Sequence, residues 1–214
     1  MNHTAVPRGI ALLVIDMQRD FLDPLGYVAQ TGVDVSILRR TIAPVRRLLA
    51  AARSAAIPVI HTREGHRPDL SDLTAFKQRR ASGAGAPIGS VGPLGRLLVR
   101  GEPGHAIIAD VAPLPGETII DKPGFGAFYA TDLELILRAA GISSLIIAGV
   151  TTDICVHSTL REAVDRGFSC TTVADACAAG DPALHAAMLA CIAGEGGILG
   201  RVLNTDAVVT EWSL

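Results

Sequence analysis

The chain has 214 residues, of which 49% are hydrophobic and 19% are charged, and its formal net charge is −2. This balance is typical of one globular domain with a sizeable core, and it is too apolar for an intrinsically disordered chain. A charge so close to neutral gives no reason to expect nucleic acid or an anionic membrane as a partner. We therefore expect a single domain over residues 1–214.

The N-terminus and the cysteines bear on the cellular compartment. The stretch from Met1 to Arg8 is short and polar, and it lacks the apolar region and the cleavage site of a signal peptide. No apolar run reaches the roughly 18 residues that a membrane span needs. The four cysteines form no CxxC pair and no His/Cys spacing typical of zinc. We expect a cytoplasmic protein with reduced thiols, with neither a metal nor another cofactor.

Strand-like and helix-like patterns alternate along the chain. Apolar runs predict six strands, over residues 9–15, 57–61, 117–120, 144–148, 168–173 and 198–203. Helical spacing and glycine stops predict helices over residues 35–54, 132–140, 154–165 and 182–193. This alternation predicts an α/β fold: an open, doubly wound, mostly parallel six-stranded sheet with helices on both faces.

One segment, from Thr62 to Gly116, interrupts this alternation and is rich in Gly and Pro. A structureless loop of that length is uncommon inside a compact domain. We expect it either to cover the functional site as a lid or to contribute to an oligomer interface.

Three reactive side chains stand at the carboxyl ends of predicted strands. Asp16 ends the first strand, Lys122 lies just after the third, and Cys155 lies just after the fourth. Ligands of open parallel sheets bind outside the carboxyl ends of the strands. The topology therefore brings these three side chains to one rim of the sheet.

Each of the three has a catalytic and a structural interpretation. In the first turn of a helix, Cys155 would have a lowered pKa and N–H groups able to hold an oxyanion, whereas the alternative is a buried core thiol. Asp16 would act as the general base for that thiol and later protonate the leaving amine, or it would be a partner for backbone N–H groups. Lys122 would pair with Asp16 and favour the thiolate, or it would be a solvated lysine.

Three stretches of the sequence resemble motifs of the isochorismatase-like superfamily, specifically of its cysteine hydrolases. They are LLVIDMQRDF at 12–21, DKP at 121–123 and GVTTDICV at 149–156, and the resemblance extends from Ala11 to about Leu203. It implies a triad of Asp16, Lys122 and Cys155. It also implies a cis peptide between Val150 and Thr151, with the N–H groups of Thr151 and Cys155 as the oxyanion hole. A small-molecule substrate and a homo-oligomer, dimer or tetramer, are further implications.

The residues within and near these motifs indicate which branch of the superfamily the chain resembles. True isochorismatases lack the nucleophilic cysteine. Nicotinamidases carry a metal-binding Asp-x-His and a further His after the second strand, where this chain reads HTREGHRPDL over 61–70. That string, together with GEPG at 101–104, resembles the branch of biuret, triuret and ureidoacrylate hydrolases.

The resemblance assigns substrate binding to five side chains: Phe21, Arg63, Phe125, Phe128 and Glu195. Two of them depart from biuret hydrolases, which carry Lys at the position of Phe125 and Gln at that of Glu195. An ionised carboxylate accepts hydrogen bonds and donates none, so Glu195 would favour a terminal NH₂ and repel a carboxylate.

The expected function is therefore a cysteine-dependent amidohydrolase that cleaves a C–N bond of a small linear ureide, of the triuret or biuret type, through a thioester. A ureidoacrylate or N-carbamoyl amide hydrolase of the same family is the alternative. A non-catalytic relative that keeps the fold is a third possibility, and alkylation of a substrate-protected cysteine would distinguish it.

Overall fold

A computed structural model describes residues 9–213 of the chain. The prediction that Met1 to Arg8 are not a signal peptide concerns residues outside that range. No helix between residues 9 and 213 combines the length and the apolarity that are needed to cross a bilayer.

The strands and helices follow one another in this order: β1 (Ile10–Ile15), α1 (Arg19–Leu22), α2 (Tyr27–Gln30), α3 (Val35–Arg39), α4 (Ile42–Ser54), β2 (Val59–Glu64), α5 (Ala75–Gly83), β3 (Val91–Gly92), β4 (Gly95–Arg96), β5 (Thr118–Lys122), α6 (Leu133–Ala139), β6 (Ser144–Val150), α7 (His157–Asp165), β7 (Ser169–Ala178), α8 (Pro182–Gly197), β8 (Arg201–Leu203) and α9 (Thr205–Trp212). Shorter turns are the 3-10 helices Pro103–His105 and Ala109–Val111 and the π-helical turn Thr152–Val156.

Six of the strands form one sheet in the order β5-β2-β1-β6-β7-β8. Every neighbouring pair in this sheet is parallel, which confirms the predicted doubly wound α/β fold. The chain moves outward from β1 through β2 to β5, and then from β6 through β7 to β8. The strand order therefore reverses between β1 and β6, and the crevice outside such a switch point is the usual ligand site.

Each face of the sheet carries its own hydrophobic core. Along β1, Leu12 and Val14 join one core, to which α4 and α9 contribute, while Leu13 and Ile15 join the other, to which α6 and α7 contribute. Successive side chains of a strand point to opposite faces, so a strand covered on both faces must be apolar throughout. This explains why the first strand is readable as a continuous apolar run.

The helix predicted over residues 35–54 is in fact two helices, α3 and α4. The side chain of Asp34 accepts a hydrogen bond from the Ser36 N–H (2.9 Å) and caps α3. Pro44 explains why a new helix begins here, because proline has no N–H and is tolerated only in the first turn of a helix. Beginning α4 at Ile42 puts Pro44 in that turn.

The segment predicted as a long loop insertion, residues 62–116, contains regular secondary structure. The segment contains the end of β2, all of α5, the β3–β4 hairpin and both 3-10 turns. Thr74 caps α5 by accepting a hydrogen bond from the Lys77 N–H (3.2 Å). Ile88, Leu97 and Leu98 are buried, and Ile88 and Leu98 belong to the same hydrophobic core as Leu12 of β1.

Helix α9 was not predicted from the sequence. Asn204 caps it by accepting a hydrogen bond from the Ala207 N–H (2.8 Å), and Val208 and Trp212 are buried against the α4 side of the sheet. The Asn-Thr-Asp start followed by apolar residues is a recognisable helix signature that the sequence interpretation overlooked.

Candidate active site

Four charged or nucleophilic side chains meet at the carboxyl edge of the sheet. Asp16 follows β1, Glu64 ends β2, and Lys122 is the last residue of β5, not the residue after it. The register of the sheet sets Glu64 beside Lys122. Cys155 joins them from the π-helical turn that follows β6.

The backbone around β6 determines how Cys155 enters the site. Gly149 has φ +120°, and a Cβ atom on it would lie 2.1 Å from the Ile15 carbonyl oxygen, so only glycine fits there. The Val150–Thr151 peptide bond is cis. The Thr151 carbonyl then accepts hydrogen bonds from the N–H groups of Ile154 (3.2 Å) and Val156 (3.1 Å). Cys155 therefore lies in a π-helical turn, and not in the first turn of an α-helix as predicted, because α7 begins only at His157.

Lys122 and Asp16 form an ion pair that is fully shielded from solvent. The Lys122 Nζ lies 2.7 Å from the Asp16 Oδ2, and both side chains are 0% exposed. The other carboxylate oxygen of Asp16 accepts a hydrogen bond from the Thr62 hydroxyl (2.5 Å). Lys122 also donates to the carbonyl oxygens of Gly124 (3.1 Å) and Phe125 (2.9 Å). These contacts fix the positions of both charged groups.

A second buried ion pair, between Glu64 and Lys77, was not predicted from the sequence. The Glu64 Oε1 lies 2.5 Å from the Lys77 Nζ, and its Oε2 lies 3.4 Å from the Lys122 Nζ. The Cys155 thiol donates a hydrogen bond to the Glu64 Oε2 over 3.2 Å. The nucleophile candidate is thus in direct contact with Glu64.

The two carboxylates differ in their expected protonation. Burial raises the pKa of Asp16 above its ordinary value, although the Lys122 ammonium opposes that rise. Burial would also raise the pKa of Glu64, but the ammonium groups of Lys122 and Lys77 lower it to about 2. Glu64 is therefore ionised near neutral pH, whereas Asp16 is the group better suited to carry a proton.

The thiol of Cys155 is not poised as a thiolate, contrary to the prediction. Burial raises the pKa of Cys155 well above its ordinary value, and the negative charges of Glu64 and Asp16 add to the rise that Lys122 opposes. The predicted lowering by a helix N-terminus and by Lys122 is outweighed. The free protein therefore holds a protonated thiol, which must lose its proton as it attacks.

A cavity of about 590 Å³ opens above these residues. Its floor includes Cys155 and Glu64, and Thr151 also lines it. Helix α5 forms one wall with Lys77 and Arg80, so the segment predicted as a lid or an interface contributes a wall of this cavity.

Two of the five predicted substrate-binding residues, Phe21 and Phe125, line this cavity, and the Lys77 Nζ stands 4.9 Å from the ring centroid of Phe125. Arg63 does not line it, because it alternates with Glu64 along β2 and binds Asp121 through Nε at 2.7 Å. Phe128 does not line it either, since its ring packs against that of Phe168 (5.8 Å between centroids) in the core.

Glu195 lies far from the site, so the prediction that it contacts substrate is wrong. Helix α8 begins beside the cavity, where Leu184 is a lining residue, and its last residues line another cavity together with Ile10, Ser144 and Ser169, the first residues of β1, β6 and β7. Over the nine residues from Leu184 to Ala193, a helical rise of about 1.5 Å each carries the chain roughly 14 Å away. Glu195 is exposed in a non-helical kink with φ +50°, and the adjacent Gly196 and Gly197 line a separate cavity of about 700 Å³ that also borders Ile10.

The side chains of Asp16, Glu64 and Cys155 offer one potential ligand atom each, and these atoms lie within 4.8 Å of one another. The Lys122 and Lys77 ammonium groups contact the two carboxylates of this cluster. A divalent cation there would be repelled by both ammonium groups. The donor set therefore fits an ion-pair network better than a metal site.

Residues 10–205 match the isochorismatase domain family. The chain belongs to the isochorismatase family. Among its curated relatives, the ureidoacrylate amidohydrolase RutB of Methylobacterium radiotolerans is 34% identical over 198 residues, which are 87% of this chain and 74% of that protein. The RutB of Methylorubrum extorquens is 34% identical over 212 residues, which are 94% of this chain and 82% of the relative.

Solved structures with the same fold agree with this assignment. A cysteine hydrolase from Pseudomonas syringae superposes with a TM-score of 0.81 at 26% identity, with 100% of this chain and 99% of that chain covered. An N-carbamoylsarcosine amidase from Thermoplasma acidophilum has a TM-score of 0.71 at 26% identity and covers 92% of this chain and 96% of its own. This member of the isochorismatase-like cysteine hydrolases is a hydrolase that acts on amide C–N bonds.

Proposed function

We propose that the chain uses Cys155 to hydrolyse the terminal amide of a ureide that also carries a carboxylate, that is, an N-carbamoyl acid. The observation that carries this proposal is the buried thiol at the base of a cavity, flanked by Asp16 and Glu64 and by the lysines that neutralise them. Asp16 and Lys122 complete the proposed triad.

The proposed reaction conserves atoms and charge at each step. The Cys155 proton passes to Asp16 as the sulfur attacks the carbonyl carbon, and the oxyanion that forms is held by the N–H groups of Thr151 and Cys155. The proton on Asp16 then goes to the leaving nitrogen, the C–N bond breaks, and ammonia departs, which leaves an S-thiocarbamate on Cys155. Water, losing a proton to Asp16, attacks this intermediate, the C–S bond breaks to release a carbamic acid, and Asp16 returns its proton to the sulfur to restore the thiol.

Arg80 supplies the charge that a carboxylated substrate requires. It is exposed, it lines the cavity from α5, and within residues 9–213 its side chain forms no ion pair or hydrogen bond. Lys77 on the same wall is already bound to Glu64. A substrate with its ureido end at Cys155 can extend toward Arg80 and meet an uncompensated cation.

Besides Glu64, three acidic residues line the cavity, namely Asp34, Asp153 and Asp181, and two of them oppose Arg80 less than their charge suggests. Asp34 caps α3, and Asp181 caps α8 by accepting a hydrogen bond from the Ala183 N–H (2.8 Å). Negative charge at a helix N-terminus is partly compensated by the helix dipole. Their repulsion of a substrate carboxylate is correspondingly weakened.

The relatives support the same substrate class. The names of the curated relatives and of the Thermoplasma structure describe enzymes that act on ureido or N-carbamoyl acids. The sequence argument for neutral triuret or biuret depended on Glu195, together with Phe125 in place of a lysine. Glu195 lies far from the cavity, and the ammonium group of Lys77 stands over the ring of Phe125.

The test is a comparison of kcat/KM, from ammonia release, for two groups of substrates. Ureidoacrylate, N-carbamoyl-β-alanine and N-carbamoylglycine carry a carboxylate, whereas biuret and triuret do not. We expect the carboxylated ureides to be preferred. A preference for biuret or triuret would contradict the proposal and favour the neutral ureides expected from the sequence.

A pair of variants isolates the contribution of Arg80. Arg80→Ala should lower kcat/KM for the carboxylated ureides by roughly fivefold, because an exposed ion pair is worth about 1 kcal/mol, and leave biuret nearly unaffected. Arg79→Ala is the matched control, since Arg79 is an exposed neighbour on α5 that does not line the cavity. Equal losses in both variants, or for both substrate groups, would remove Arg80 from substrate recognition.

A further inference from the structure

We propose that Glu64 is a specificity-determining residue whose carboxylate binds the Cys155 thiol in the free enzyme and exchanges this bond for the inner N–H of a bound ureide. This inference rests on the proposed function, because it concerns how the same site recognises the ureido group. In this proposal, Glu64 accepts a hydrogen bond from the substrate nitrogen that is retained, and Asp16 protonates the nitrogen that leaves.

The geometry around the thiol supports this assignment. Two carboxylates flank Cys155, and one atom from each lies within 4.8 Å of its sulfur. A ureide likewise presents two nitrogens, one on each side of the carbonyl carbon that the sulfur attacks. A plain amide presents only one, so the second carboxylate has no N–H to bind unless the substrate is a ureide.

The protonation of the two carboxylates matches these two tasks. Departure of ammonia requires a proton donor, and the pKa of Asp16, which burial raises, suits that task. Binding the retained N–H requires an acceptor that stays ionised, and Lys122 and Lys77 lower the pKa of Glu64 to about 2 against the effect of burial. Two carboxylates in one site thus take different tasks from their environments.

The exchange follows from the hydrogen bonds of Glu64. Its Oε1 is held by Lys77 at 2.5 Å, while its Oε2 accepts from the Cys155 thiol at 3.2 Å. Once the thiol proton has passed to Asp16, Oε2 keeps only the longer hydrogen bond from Lys122 (3.4 Å) and faces a developing negative charge on sulfur. A ureide N–H at that position replaces the lost hydrogen bond, whereas a methylene group cannot.

The first experiment compares two substrates that differ only at the inner nitrogen. N-carbamoyl-β-alanine carries an N–H where glutaric acid monoamide carries a CH₂ group. We expect Glu64→Gln to lower the ratio of their kcat/KM values by roughly tenfold to a hundredfold, as loss of one hydrogen bond to a charged group implies. Glu162→Gln is the control, because Glu162 binds the Phe128 N–H (3.2 Å) and does not line the cavity.

The second experiment needs no substrate. In a Cys191→Ala background, which removes the exposed thiol, iodoacetamide should alkylate Cys155 faster at pH 7 in Glu64→Gln than in the parent. The reason is that burial raises the pKa of Cys155 and that Glu64 raises it further. If Glu64→Gln fails to fold, Glu64→Asp keeps the charge but withdraws it by one methylene, and it should shift both measurements in the same direction by less.

The outcomes separate a recognition role from a structural one. Equal losses for both substrates, with alkylation unchanged or slowed, would overturn the proposal, because a structural residue acts in that way. If the enzyme prefers biuret, the proposed substrate class fails, but the role of Glu64 can still be tested with biuret and malonamide, which differ by the same N–H to CH₂ change. If Glu64→Gln then leaves the ratio of kcat/KM for biuret and malonamide unaltered, the proposed role of Glu64 is overturned independently.

Discussion

Cys155 differs from the other cysteines in what surrounds it. Cys170 and Cys177 are also buried, and burial raises the pKa of each thiol to about 12, but no lysine acts on either of them. Around Cys155 the ammonium group of Lys122 opposes the effect of burial. A nearby proton acceptor and a compensating cation are what a buried thiol needs in order to react.

The first prediction concerns this nucleophile. Cys155→Ala and Cys155→Ser should each abolish turnover, because serine has no thiolate character near neutral pH. Ammonia release from the preferred ureide is the measurement. Cys191→Ala is the control, since Cys191 is exposed on α8 and should be dispensable. Substantial turnover by Cys155→Ala would exclude covalent catalysis by this residue.

The second prediction concerns Lys122, which compensates two buried carboxylates. Lys122→Met should lower the free energy of unfolding by about 3–5 kcal/mol, because removal of one partner leaves buried charge unpaired. Urea unfolding at pH 7 measures it. Arg47→Met is the control, since the ion pair of Arg47 with Asp206 is exposed and should contribute less than about 1 kcal/mol. A loss in Lys122→Met no larger than that of the control would contradict the prediction.

At the residue scale, a site residue could be predicted from the sequence only where the end of its strand was also predicted correctly. Asp16, Lys122 and Cys155 were found because each follows a readable apolar run. Glu64 was missed because the second strand was ended at His61, three residues short of its true end. Glu195 was wrongly assigned to the site because the sequence does not show at which edge of the sheet the last residues of α8 lie.

At the element scale, Glu117 joins three parts of the fold. It precedes β5 and binds Arg53 of α4 through Oε1 (2.7 Å) and His61 of β2 through Oε2 (3.0 Å). Its Oε2 also accepts a hydrogen bond from the Leu114 N–H (2.9 Å). One carboxylate therefore fixes the edge strand to its neighbour and to a helix.

The third prediction tests this connection through its pH dependence. Burial would raise the pKa of Glu117, but its hydrogen bonds to Arg53, Leu114 and His61 lower it to about 2. Its contribution is therefore present above its ordinary pKa of 4.5 and is lost as the pH falls from there toward 2.

Glu117→Gln should accordingly lower the free energy of unfolding by about 2 kcal/mol at pH 7 and by less near pH 3. Urea unfolding at both pH values measures this difference. Glu211→Gln, which breaks an exposed pair with Arg201, should change little at either pH. A loss in Glu117→Gln that does not depend on pH would mean that packing, and not charge, is responsible.

Strands and helices with a clear pattern of apolar residues could be predicted from the sequence. Those whose position depends on contacts with distant parts of the chain could not. The central strands follow from apolar runs such as ALLVI at 11–15, and the doubly wound order follows from strand–helix alternation. Helix α5 has only two buried side chains, Lys77 and Ala81, so its amphipathic signal is weak. Its position depends on the contact between Lys77 and Glu64, which joins residues far apart in the chain.

At the scale of the whole molecule, charge compensation limits what the site can bind. The formal net charge of the chain is −2, and the site itself pairs Asp16 and Glu64 with Lys122 and Lys77. The site is therefore close to neutral without any added ion. This arrangement suits a substrate whose ureido end is uncharged and whose charge lies outside, near Arg80.

The fourth prediction follows from that neutrality and concerns the complete enzyme. Within residues 9–213, the cluster of Asp16, Glu64 and Cys155 is the one group of three potential metal ligands, and Lys122 and Lys77 already bind its carboxylates. A divalent ion would have to displace both ammonium groups from buried ion pairs, which costs several kcal/mol. Activity should therefore survive prolonged EDTA treatment, and elemental analysis of the purified protein should find no stoichiometric metal. A zinc-dependent amidase treated in parallel shows that chelation was effective. Loss of activity on chelation, with recovery on adding one particular metal, would require the ion pairs to rearrange and would contradict the prediction.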